Sequence, residues 1–145
     1  MKHSRFLPAL VLLGAACASS SSITDPQVYT QLEAADSVRI RVGQSIVVDG
    51  VRIRFNEVAS DSRCPADVVC VWAGDAEARF TVGVNCDACR APEYLLSLHT
   101  TLEPKSGEAM GYRVILLRVL PEPRSTTVIL PGSYSAWIRL MRLPG

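Results

Sequence analysis

A chain of 145 residues, 48% of them apolar and 20% charged, fits one globular domain. Fifteen Lys+Arg stand against fourteen Asp+Glu. That balance excludes the strong net positive charge of a general nucleic-acid binder, and five cysteines with only two histidines leave few positions for metal or nucleophile chemistry.

The chain opens MKHSRFLPALVLLGAACASSSS. Lys2 and Arg5 form a positive start, and the stretch from Phe6 to Ala16 carries no charge. That stretch is shorter than the roughly 20 residues that span a bilayer. It has the length and small-residue ending of a signal peptide, placed at 1–16. Leu13-Gly14-Ala15-Ala16-Cys17 reads as a lipoprotein processing site, with Cys17 lipidated and becoming the new N-terminus. Gly14 stands where Leu is usual. The alternative is an A-x-A cut after Ala18, which gives a soluble periplasmic or secreted protein. Residues 17–36 then read as a flexible tether, rich in Ser19–Ser22, with a turn at Thr24-Asp25-Pro26 and at most one helical turn over Val28–Ala35. A lipid-anchored protein is held at a membrane without spanning it. Ala18, in place of an Asp after Cys17, points to the outer membrane. Without 1–16 the chain keeps thirteen bases against fourteen acids.

From Ser37 the pattern has period two, and 37–145 is taken as the folded domain. Val38, Ile40 and Val42 alternate with Arg39 and Arg41. Ile46–Val48 follows, then the hairpin signal Asp49-Gly50, then Val51, Ile53 and Phe55 alternating with Arg52 and Arg54. If that hairpin pairs these strands, the four arginines make one basic patch able to touch lipid headgroups or an acidic partner; the alternative is a solvated face partly neutralised by Glu57 and Glu77. Further strands are expected at Ala76–Val84, Tyr94–His99, Tyr112–Leu120, Thr126–Leu130 and Ser133–Leu140. Seven to eight short strands with Gly, Pro and Asp turns predict an all-β domain. The expected form is an antiparallel sandwich of immunoglobulin-like size, with a small β-barrel as the alternative.

Four cysteines lie in the domain: Cys64, Cys70, Cys86 and Cys89. Three pairings are open. A four-thiolate zinc site is disfavoured by the wide first spacing and an exported setting. A redox Cys86-Asp87-Ala88-Cys89 lacks the helix that would lower a thiol pKa. Local disulfides, Cys64–Cys70 and Cys86–Cys89, are the expected arrangement, with a crossed pairing as the rival. Pro65 bends the first loop, Asp61 and Ser62 can cap its backbone, and Trp72 is expected to pack against the core beside the disulfide. The functional alternative is that the loop shows Arg63, Asp67 or Trp72 to a partner.

The stretch Asp61-Ser62-Arg63-Cys64-Pro65 … Cys70-Val71-Trp72-Ala73-Gly74 resembles a motif of small exported bacterial proteins, many of them lipoproteins, of unassigned function. Gly111-Tyr112-Arg113-Val114, Pro121-Glu122-Pro123 and a Tyr134-containing last strand are similar to that group. The resemblance implies a fold and a location but no reaction, and the Cys86/Cys89 pair lies outside it.

His99 is the one histidine beyond the signal, expected to be solvated or hydrogen-bonded at a strand end. No serine elbow, phosphate loop or His-based metal motif is present. Glu57, Asp61, Asp67, Asp75, Glu77 and Asp87 make a calcium site conceivable but lack EF-hand spacing. No catalytic residue, metal or cofactor is assigned. The expected function is a non-catalytic binding or envelope-interaction module. Its partners are the membrane, through the anchor, and an envelope protein or small ligand, with no nucleic acid. The alternative is a thiol–disulfide or metal-dependent enzyme using Cys86/Cys89 or the Asp-rich loops.

Overall fold

A computed structural model describes residues 37–145. The expected signal peptide, the Cys17 processing site, and the expected tether and helical turn lie outside the described residues. Eight strands follow in order: β1 Ser37–Arg41, β2 Ser45–Val48, β3 Val51–Asp61, β4 Ala76–Val84, β5 Tyr94–His99, β6 Ser106–Ala109, β7 Tyr112–Leu120 and β8 Ser135–Arg142. They form two antiparallel four-stranded sheets, ordered β1-β8-β7-β6 and β2-β3-β4-β5. The domain is a β-sandwich; the sheets do not close into a barrel.

Alternation drives the assembly. Val51, Ile53 and Phe55 of β3 and Ala76, Ala78, Phe80 and Val82 of β4 point inward and are buried. They meet Ile40, Val114, Val119, Ala136, Ile138 and Leu140 from the facing sheet. At the centre the rings of Phe55 and Phe80 stack with centroids 4.9 Å apart. Tight turns set the register. Asp49 (φ 48°) and Gly50 (φ 78°) both take the left-handed conformation that a two-residue hairpin needs. Met110 (φ 54°) and Gly111 (φ 78°) do the same between β6 and β7.

Three expectations are corrected. The segment Thr126–Leu130 is not a strand; it holds one isolated bridge, Arg124 to Thr127, and Val128 and Leu130 are exposed. Its β-branched residues have strand propensity but pair with no strand of either sheet. Conversely, Ser106–Ala109 is a strand despite its weak pattern, because it pairs with β7 and Gly107 leaves room for Leu96 of the opposite sheet. Finally, Asp49-Gly50 pairs β2 with β3, not β1 with β3. Arg39 and Arg41 therefore lie on one sheet and Arg52 and Arg54 on the other, so the four do not form one patch.

Candidate functional site

The loop between β3 and β4 is built on a polar base. Asp61, the last residue of β3, receives Arg63 Nε at 2.8 Å on Oδ1 and Arg63 Nη2 at 2.5 Å on Oδ2. The same guanidinium donates to the carbonyls of Val119 (2.6 Å) and Pro121 (3.0 Å) at the end of β7. Tyr134 Oη adds a bond to Asp61 Oδ2 at 3.1 Å. Arg63 and Asp61 keep only 12% and 9% of their side-chain area exposed. Burial opposes the charge on Asp61, but the Arg63 hydrogen bonds and charge outweigh it and hold the carboxyl below its usual range. Arg63 therefore faces inward and links β3 of one sheet to β7 of the other.

Above this base the legs of the loop pair with each other. Ser62 N donates to Asp75 O at 2.7 Å and Cys64 N to Ala73 O at 3.0 Å. The approach is so close that a Cβ on Gly74 would lie 1.9 Å from the Ser62 carbonyl oxygen, at a φ of +66°. Only glycine fits there. Cys64 and Cys70 are joined, with Cα atoms 5.9 Å apart, as local pairing predicts. Asp67 accepts from Ser125 N (2.9 Å) and Oγ (2.6 Å), and Ala66 N donates to Pro123 O at 2.9 Å. The clip is thus tied sideways to the 121–130 loop.

The tip is apolar and uncovered. Val69, Val71 and Trp72 are 102%, 90% and 82% exposed. This corrects the expectation that Trp72 packs on the core. The loop is anchored by the disulfide, the Arg63 contacts and paired backbone, so it needs no aromatic plug; Ala76, Val119 and Tyr134 are the buried residues at this end. Of the three residues singled out from the sequence, Arg63 forms the base, Asp67 the lateral tie and Trp72 the outward tip.

A second cluster, which sequence reasoning missed, centres on Asp75. Its carboxylate lies 2.6 Å from His99 Nδ1 and accepts from Thr100 Oγ1 (3.1 Å), Thr101 N (2.8 Å) and Leu102 N (3.3 Å). Burial opposes the charge, yet the bonds from His99, Thr101, Leu102 and Thr100 lower the pKa to about 2. No periodic signal connects position 75 with 99–102; the available hint was a lone Asp before one strand and Thr100-Thr101 after another. A carboxylate-oriented imidazole is one half of a base-and-nucleophile pair. Among the described residues no hydroxyl or thiol hydrogen-bonds the other ring nitrogen.

Cys86 and Cys89 close a turn after β4, with Cα atoms 5.4 Å apart. Arg52 Nη2 bonds Asp87 Oδ1 at 2.6 Å and Asn85 Oδ1 at 2.9 Å beside it. Both sulfurs are oxidised, so this turn holds no thiolate. Among the described residues no three His, Cys, Asp or Glu side chains converge as a metal site. Compared with protein-family models, with curated proteins and with solved structures, the chain matches none. The two disulfides fit an oxidising, extracytoplasmic setting.

Proposed function

We propose that the protein is a lipid-anchored envelope domain acting as a non-catalytic binding module, with the clipped loop as its contact surface. The observation that carries this reading is the uncovered apolar tip: Val69 lies inside, and Val71 and Trp72 directly follow, a disulfide ring whose base is fixed to both sheets. A preorganised tip loses little conformational freedom on binding, and an exposed tryptophan is the residue type that most often anchors interfaces. The Cys17 processing site, the polar tether and the resemblance of the Asp61–Gly74 stretch to exported lipoproteins support an outer-membrane address. The partner class is an envelope protein or a small ligand.

The test is site-specific photo-crosslinking in intact cells, with the crosslinker at Val71 and a control at Leu95, exposed on the β5 strand. A discrete adduct from position 71 that disappears in Trp72→Ala is the expected result. No adduct, or the same adducts from both positions, sinks the reading. Palmitate labelling lost in Cys17→Ala checks the anchor.

A further inference from the structure

The bases and acids of this near-neutral chain are segregated between the sheets. The strands β2-β3-β4-β5 carry Arg52, Arg54 and Arg79 against Glu57, Asp61 and Glu77. Arg79 is paired to both Glu57 and Glu77. The strands β1-β8-β7-β6 carry six arginines and one acid, Glu108, and Arg113 takes that acid at 2.5 Å.

Five of the six share the outer face, and the four besides Arg113 make no ion pair among the described residues. Arg39 on β1 and Arg118 on β7 lie directly across from Trp137 on β8, one on each side. Arg41 is two residues from Arg39, and Arg139 two from Trp137, on the same face. Given strand spacings of about 4.8 Å and same-face steps of about 6.8 Å, the four Cα atoms fall within roughly 15 Å. All four are exposed, and none lies within ion-pair distance of a carboxylate among the described residues. Arg118 stacks over Trp137, 5.7 Å from the ring centroid. The indole N–H is enclosed with no acceptor among the described residues. Leu117 and Met141 are partly exposed beside this group. Guanidinium groups fit phosphate oxygens in a bidentate manner, and tryptophan sits at membrane–water interfaces.

The chain itself leads to this face. Ser37, where residues 17–36 join the domain, pairs with Arg139 on the edge of the same sheet. We propose that the outer face of the β1-β8-β7-β6 sheet docks on the phosphate headgroups of anionic phospholipid in the membrane that holds the tether. The membrane's position rests on the anchor reading above; the charge pattern does not. Docked this way, the domain lies on its sheet face, and the clip, at the end of the sandwich, is left free for its partner.

The test uses the mature chain, residues 17–145, with Cys17→Ser so that no acyl chain contributes and the tether acids Asp25, Glu33 and Asp36 stay in place. Co-sedimentation is measured with phosphatidylglycerol/phosphatidylcholine vesicles, with phosphatidylcholine alone, and with tripolyphosphate as soluble competitor. Binding is expected only with the anionic vesicles and is expected to weaken with salt. It falls about fivefold for each arginine replaced in Arg39→Gln/Arg118→Gln. The pair Arg41→Gln/Arg139→Gln leaves the Trp137 stack intact and falls likewise, whereas Arg52→Gln/Arg54→Gln binds as the parent does. Equal binding to both vesicle types overturns the proposal, as does binding unaffected by either patch pair or abolished only by Trp72→Ala. Tripolyphosphate binding without vesicle binding assigns the face to a soluble phosphate and overturns it too. Palmitate labelling of the natural chain reads Cys17 separately, so loss of the anchor reading leaves the vesicle result standing.

Discussion

Arg63 is a short-range decision with long-range effect. Its guanidinium satisfies Asp61 and two carbonyls at the end of β7 while almost fully buried. Replacement leaves Asp61 charged and unpaired, which costs about 3 kcal/mol; urea unfolding of Arg63→Ala should show a loss of that size, and Arg63→Lys should recover only part. Asp75 sets the acid limit. Its pKa is lowered from 3.8 to about 2, so its contribution is complete above pH about 4 and disappears as the pH falls toward 2. Asp61 is lowered in the same direction. The melting temperature should therefore drop steeply between pH 4 and 2, and Asp75→Asn should flatten that limb while lowering stability at pH 7. These roles were only half legible. Asp61 and Ser62 read as caps of neighbouring backbone; Asp61 caps Arg63 N, whereas Ser62 accepts from Asp75 N across the loop. The inward turn of Arg63 and the partners of Asp75 depend on residues 24 to 58 positions away, which no local pattern encodes.

At the scale of elements, strands with a strict period and a two-residue turn were readable: Val51–Phe55 and the Asp49-Gly50 hairpin follow from alternation and backbone conformation alone. β6 was not, since Ser106-Gly107-Glu108-Ala109 has almost no apolar pattern and is held by β7. The Trp72 expectation failed because an aromatic beside a disulfide says nothing about which side of the loop the core lies on. Two measurements separate base from tip. Trp72→Ala should change stability by less than about 0.5 kcal/mol, far below the 3–5 kcal/mol typical of a buried tryptophan. Gly74→Ala should cost about 3 kcal/mol or more, because its Cβ collides with backbone. The double variant Cys64→Ser/Cys70→Ser should lose about 2 kcal/mol, as expected for so short a ring, and expose the loop to proteolysis.

Over the whole molecule, near-zero net charge concealed the feature that matters. Bases and acids nearly cancel along the chain, but the strand order sorts those on strands into one balanced sheet and one basic sheet. Topology, invisible to composition, creates the difference. The fold class was legible because alternation over some 105 residues leaves few alternatives; which strands share a sheet was not, since β1 and β2 are consecutive yet lie in different layers. Mass spectrometry of the folded mature chain should show all four domain cysteines blocked to alkylation, with reduction adding two hydrogens per disulfide. The division of the clip into a buried base and an uncovered tip has a consequence for variation. Asp61 and Arg63 tolerate little change because the two sheets are joined through them, and Gly74 because its Cβ would strike the Ser62 carbonyl. Positions 68 to 72, apart from Cys70, carry no such burden, so new side chains can be tried there one after another on an unaltered frame. The loop is in that sense a socket: the side chains it shows can be exchanged without refolding the domain beneath it.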